Sequence, residues 1–301
     1  MNTTNPIDRC FVRLFEGLVH VRECAEVGAQ NSPPLYLMHA GPASARGLEP
    51  LMVALRARGL TQRMIAPDTL GNGDSAAPHP ERPDIAYFAD SVRRVLDALH
   101  IDRVDVYGAH TGCRTAAELA ILFPDRVGSV IFDGISEYDG ELKKQILAHY
   151  APEMKPDEMG QHLVWAFHFI RDQIFHFPYF MRDPAHRTYR AMPSNEHLHA
   201  HTVDVLKALT TYHKPYLAAF DYEPTKRLPL ITRPVLVLEA DTEPPHLKSA
   251  AAQMAELVPE SKLVRTEGGV EGKAKAMVEF LNQDQGLFKA SKKDIGSLEK
   301  S

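Results

Sequence analysis

The sequence has little cysteine and less tryptophan: three Cys and one Trp among 301 residues. Cys10, Cys24 and Cys113 show no paired spacing, which excludes a disulfide framework and fits a reducing cytoplasm. A surplus of positive charge is also missing. Lys and Arg number 34 against 39 Asp and Glu, a net charge of -5, so no basic patch argues for a nucleic-acid partner. Long apolar runs are absent, and no stretch reaches the ~20 residues of a membrane span. The opening MNTTNPIDRCFVRLFEG has no basic region followed by an apolar one, so no signal peptide is expected. What remains is 44% hydrophobic and 24% charged, the composition of a globular protein with a sizeable core. Its length accommodates one large α/β domain, or a core domain with an insertion. The expected partner is a small molecule, with a homodimer open, and with no cofactor or metal called for.

Along the chain, residues from about Phe11 to Cys24 alternate apolar and polar and predict a β-hairpin. Leu35 to Met38 reads as a buried strand feeding the tight loop His39-Ala40-Gly41-Pro42. Helical spacing over Gly47–Arg58, a strand over Gln62–Pro67, a helix over Ile85–Leu99 and a strand over Val104–Tyr107 follow. A helix over Thr115–Phe123 and a strand over Val127–Phe132 come next. Strands alternating with helices imply βαβ units and a mostly parallel sheet. From Gly134 to about Pro229 the alternation stops, and the segment is helical, aromatic and holds nine of the fifteen histidines. Strand pattern returns at Val235–Leu238 and Lys262–Arg265, with helices over Lys248–Leu257 and Lys273–Leu281. The expected organisation is an α/β core of residues 1–134 and 230–283, a helical cap over 135–229, and a disordered polar tail over 284–301.

The stretch Gly108-Ala109-His110-Thr111-Gly112 stands between a strand and a helix that begins near Arg114. It has the layout of a nucleophile elbow, G-x-S-x-G, with His110 in the serine position. The elbow is a sharp, strained turn, and side chains at Gly108 and Gly112 would collide with the neighbouring strand and helix. Cys113 is one residue past the useful position and reads as a small packing residue.

With these landmarks the chain resembles the α/β-hydrolase fold over Leu35 to Leu281, with a helical cap after the sixth strand. His39-Ala40-Gly41-Pro42 resembles the oxyanion loop H-G-x-P, and Asp68 through Ser75 resembles the loop D-x-x-G-x-G-x-S. The elbow follows, and Arg233 to Glu239 resembles the strand that leads to the triad acid. Two departures stand out. His110 replaces the nucleophile, and the loop Thr266 to Lys273, where the resemblance places the triad histidine, has none. The Ser-His-Asp mechanism needs an imidazole within hydrogen-bond reach of a hydroxyl, so it does not carry over. For the acid, Glu243 falls at the family position, Asp241 lies two residues earlier, and Asp133 matches an alternative position at the end of the strand before the cap.

His110 is the leading catalytic candidate, as a general base or as a nucleophile forming an acyl-imidazole. Asp133, Asp241 and Glu243 are the candidate carboxylates to fix its tautomer. The resemblance implies that the amides of Gly41 and Thr111 form an oxyanion hole. His39 supports that loop, and Arg114 reaches the pocket or a surface carboxylate. In the cap, Trp165 and neighbouring aromatic residues are candidates to line an apolar cavity. His213 is a candidate to reach the pocket in place of the missing base. His197-x-His199-x-His201 is weak as a metal cluster, because in a helix only His197 and His201 share a face. The implied function is an enzyme with altered chemistry, hydrolysing or cleaving a small ester, lactone, amide or activated C–C bond. The alternatives are a non-catalytic binder of a small ligand and a cofactor-independent oxygenase.

Overall fold

The computed structural model describes residues 6–28 and 32–283, so the expectation for the tail 284–301 lies outside the described residues. The hairpin forms from β1 (Asp8–Arg13) and β2 (Leu18–Cys24), antiparallel, with Phe11 opposite His20. Then come β3 (Leu35–Met38), α1 (Glu49–Ala57), β4 (Met64–Pro67), α2 (Ile85–Ala98), β5 (Val104–Ala109), α3 (Thr111–Leu122) and β6 (Val127–Asp133). After a helical segment follow β7 (Val235–Ala240), α9 (Pro245–Glu256), β8 (Ser261–Thr266) and a last helix, α10, over 270–283. The eight strands form one sheet in the order β1-β2-β4-β3-β5-β6-β7-β8. Only the pairings of β2 are antiparallel. This is a mostly parallel sheet flanked by helices, the arrangement that the resemblance implies.

Strand alternation sorts the core onto two faces. Leu35, Leu37, Tyr107 and Ile131 pack with α1 and α10, whereas Tyr36, Met38, Val106 and Val130 pack with α2, α3 and α9. Both faces are covered, so the central strands read as continuous apolar runs: β3 and β6 are buried throughout. Between β6 and β7 lie α4 (Gly140–His149), α5 (Gln161–Phe175), α6 (Asn195–Lys207), α7 (His213–Asp221) and the short α8 (Pro224–Arg227). They close around an apolar cluster of their own that includes Tyr150, Phe169, Tyr212, Tyr216 and Phe220. Ser194 caps α6 by accepting from the amide of His197. Among the described residues no helix is long and apolar enough to cross a membrane.

The elbow is more compact than the expected helix start near Arg114 implies. Helix α3 begins at Thr111, directly after His110, which holds φ 47° and ψ -106°. A non-glycine residue in this region is strained, and the surrounding packing holds it there. A Cβ on Gly108 would lie 2.5 Å from the carbonyl of Gly112, and one on Gly112 would lie 2.5 Å from the oxygen of Met38. Those obstacles are backbone and cannot swing aside. Gly112→Ala is therefore expected to cost about 1–3 kcal/mol, as overpacking against a fixed wall does. Urea unfolding would show it, and a midpoint equal to wild type would contradict this account of the turn.

Candidate active site

His110 stands at the C-terminal end of β5, where its amide donates to the Asp133 carbonyl at 2.8 Å. Its ring opens into a cavity of about 260 Å³ between the sheet and the helical segment, and 40% of the side chain is exposed there. Its Nε2 lies 3.1 Å from Glu243 Oε2 and 3.2 Å from Oε1. Glu243 follows β7, in the turn before α9, and its side chain is only 8% exposed. Of the three candidate carboxylates, Glu243 is the one that meets His110.

Asp133 and Asp241 do not pair with His110. Asp133 accepts from the Tyr107 hydroxyl at 2.6 Å and from Lys273 Nζ at 2.8 Å. The reason is the period of the strand: Asp133 shares a face with Ile131, the face covered by α10, where Lys273 lies. Asp241 accepts from the amides of Gly268 and Gly269, at 2.9 and 3.3 Å, and ties the loop after β8.

Lys273 is the residue that sequence reasoning missed. It bridges Asp133 and Glu243, the latter at 3.4 Å, from the segment where the resemblance places a histidine. A lysine in the first turn of a helix opposes the helix dipole, and that misfit was the available signal. Burial lowers its pKa, but the two carboxylates outweigh this and hold it above the ordinary lysine value. Burial works to raise the Glu243 pKa, yet His110 and Lys273 pull it below the usual carboxylate range. For His110, burial lowers the pKa and Glu243 more than offsets it, with Asp133 adding, so the imidazole is held above its ordinary value.

The oxyanion loop differs from expectation at one atom. The amide of Gly41 is not free: it donates to Thr111 Oγ1 at 2.6 Å. The Thr111 hydroxyl thus turns toward the loop. The Thr111 amide, at the first position of α3, is one of those a helix leaves without an intrahelical partner. His39 is structural: its Nδ1 bonds the Ala40 carbonyl at 2.8 Å, and its Nε2 accepts from the Thr69 amide at 3.0 Å. Cys113 is buried, its thiol donates to the Gly108 carbonyl, and burial pushes its pKa up to about 12, which fits a packing role.

Arg114 lines the cavity and does not reach the surface. It donates to the carbonyl of His110 at 2.7 Å and to the carbonyl and hydroxyl of Ser136. Trp165 and His213 are placed elsewhere. Trp165 stacks on Phe169, with centroids 4.8 Å apart, inside the helical segment's own cluster. His213, at the start of α7, lines a separate groove together with Glu81 and Lys214. Three other histidines line the cavity beside His110: His197 and His201 of α6, and His246 from the first turn of α9, stacked on Phe177 at 4.0 Å. Burial, then the nearby His110, push the His246 pKa down to about 4, so it is neutral at physiological pH. For a metal, His20, Asp68 and Asp74 bring ligand atoms together among the described residues. They serve the loop instead: His20 bonds Asp68 at 3.0 Å, and Asp74 pairs with Lys207.

A parallel sheet with this elbow and a carboxylate after β7 defines the class. The chain belongs to the alpha/beta hydrolase fold family, whose model matches residues 33–270. Over 117 residues it is 30% identical to a 2-hydroxy-6-oxo-2,4-heptadienoate hydrolase of Pseudomonas putida, covering 39% of this chain and 42% of that protein. Over 105 residues it is 36% identical to a 2-hydroxymuconate semialdehyde hydrolase of Pseudomonas putida, covering 35% and 37%. The chain thus spans about two fifths of the length of the curated relatives it matches. A solved hydrolase from Pseudomonas aeruginosa shares the fold, with TM-score 0.65, 18% identity and coverage of 93% of this chain and 99% of that one.

Proposed function

We propose that this chain hydrolyses a small carbonyl substrate, an ester, lactone, amide or activated C–C bond, with His110 as general base. The observation that carries this reading is the His110–Glu243 pair on a strained elbow that faces a cavity. With Nε2–H directed at Glu243, the lone pair sits on Nδ1, which has no hydrogen-bond partner among the described residues. In this scheme water attacks the carbonyl carbon and gives its proton to His110 Nδ1. The developing oxyanion is met by the Thr111 amide and by the Thr111 hydroxyl, which accepts from Gly41 and keeps its own proton to donate. The intermediate then expels the leaving group, which takes the proton back from the imidazolium. Residues 135–229 serve as the cap over this site. The names of the two relatives, hydrolases of an oxo acid and of a semialdehyde, support a carbonyl substrate.

The pH dependence tests the pair. His110 works as a base only when neutral, and its pKa lies above the ordinary 6.5. Activity is therefore lost as pH falls through a midpoint above 6.5. Glu243→Gln removes the largest influence that raises this pKa, so the acid limb of the kcat/KM profile should move to lower pH, with a lower plateau. An acid limb that stays in place would disconnect Glu243 from the working base.

One observation favours a second reading. The Gly41 amide is already satisfied inside the protein, which suits a pocket that holds a ligand without stabilising an oxyanion. A variant without the His110 imidazole separates the two, since a binder needs no base.

A further inference from the structure

The cavity in front of His110 has an unbalanced charge. Among the described residues that line it, none is Asp or Glu, whereas two are arginines, Arg114 and Arg190, with His110, His197, His201 and His246 as further nitrogen-bearing groups. Glu243 lies behind His110 and is shared with Lys273. Asp133 is turned away onto Lys273 and Tyr107.

Arg114 is the sharpest case. It is 4% exposed, its donors go to uncharged oxygens of His110 and Ser136, and its Nε is buried with no hydrogen-bond partner. A buried cation without a carboxylate beside it is costly, and such charges are ordinarily paired. At the mouth, Arg190 is exposed and makes no ion pair among the described residues. His197 and His201 of α6 stack there at 4.0 Å. Burial, then His201, Arg190 and Arg46, hold the His197 pKa below its ordinary value, as expected where positive charge gathers. The nearby Asp204 is committed to Arg46 at 2.9 Å.

We infer that this cavity is built for an organic anion, a substrate bearing a carboxylate that Arg190 and the His197–His201 pair receive and that the Arg114 charge favours. A guanidinium offers parallel donors that match a carboxylate, which a neutral amide or ester of the same shape cannot use as well. The inference rests on the hydrolase reading only for the word substrate. The charge selection itself is a binding property.

The experiment is calorimetric titration with 3-phenylpropanoate and its neutral isostere, 3-phenylpropanamide, on wild type, Arg190→Gln, His197→Gln/His201→Gln and Arg114→Gln. Wild type should bind the carboxylate about tenfold more tightly than the amide, as expected for one or two charge-assisted hydrogen bonds. Arg190→Gln, at an exposed position with no ion pair to lose among the described residues, should erase most of that preference and leave amide binding unchanged. Equal affinity for the two ligands, binding of neither, or a preference that persists in Arg190→Gln and in the double variant would overturn the inference. Arg114→Gln adds a second arm if it folds, with the same expected direction. Repeating the titration on His110→Ala keeps the two ideas apart. A carboxylate preference retained there, with no turnover of any substrate by wild type itself, would remove the hydrolase reading and leave the anion site standing.

Discussion

His110→Ala is expected to lose about 100- to 10,000-fold in kcat/KM on small activated esters, lactones or C–C bond substrates, the usual worth of a positioned general base. The loss should appear in kcat, because the imidazole acts on the water and not on the resting substrate. His110→Asn should lose as much. Asn tolerates the positive φ that the elbow imposes, so it separates the missing base from a damaged turn. His110→Ser should not recover activity, although it restores the family's usual residue type. A serine hydroxyl needs an imidazole beside it. The loop where the resemblance places one has no histidine and ends in Lys273, which is protonated and held by two carboxylates. Turnover of wild type equal to that of all three variants, each shown to be folded, would reject His110 as the base. Absence of turnover in wild type itself would make the ligand-binding reading the better one.

Lys273→Met is expected to destabilise the protein by about 3–5 kcal/mol, the penalty for breaking a buried ion pair and stranding its partners. Here Asp133 loses its ion pair and Glu243 keeps only His110, since Lys273 Nζ contacts both carboxylates from a site only 14% exposed. The pH dependence has a definite sign. In wild type the Glu243 pKa is depressed, so its contribution is present above the ordinary 4.5 and is lost as pH falls through the depressed value. In the variant Glu243 keeps only His110 as a cationic partner, so the penalty is largest at neutral pH and shrinks as acid protonates the carboxylate. Denaturant unfolding at neutral and acidic pH would show the two proteins converging at low pH. A variant as stable as wild type at neutral pH would mean that Lys273 does not hold the cluster together. Lys273→Arg, which keeps the charge, should recover part of the loss.

Much of this site could be read along the chain because its parts are local. The elbow needs only Gly108, His110 and Gly112 between a strand and a helix, and the backbone contacts at both glycines bear that reading out. Cys113 and His39 could be read in the same way, through their immediate neighbours. Helix α3 starts three residues before Arg114 because the turn at His110 sets its start, although Thr111 and Gly112 are poor helix formers. Trp165 and His213 were attractive by residue type, but which helix face meets the cavity depends on how α5 and α7 pack, and nothing in their spacing reports that.

The sequence by itself determined the order of strands and helices, the two-sided burial of the sheet and the strained presentation of an imidazole. Each follows from apolar period, glycine position and the local reach of the backbone. Only the tertiary structure decided that Glu243 pairs with His110 across 133 positions and that Lys273 joins Asp133 across 140. It alone placed the Thr111 hydroxyl on the Gly41 amide. Those contacts depend on which strands are neighbours and on which face of the sheet a side chain emerges. Both are set by the packing of the whole sheet, and no short stretch of chain contains them.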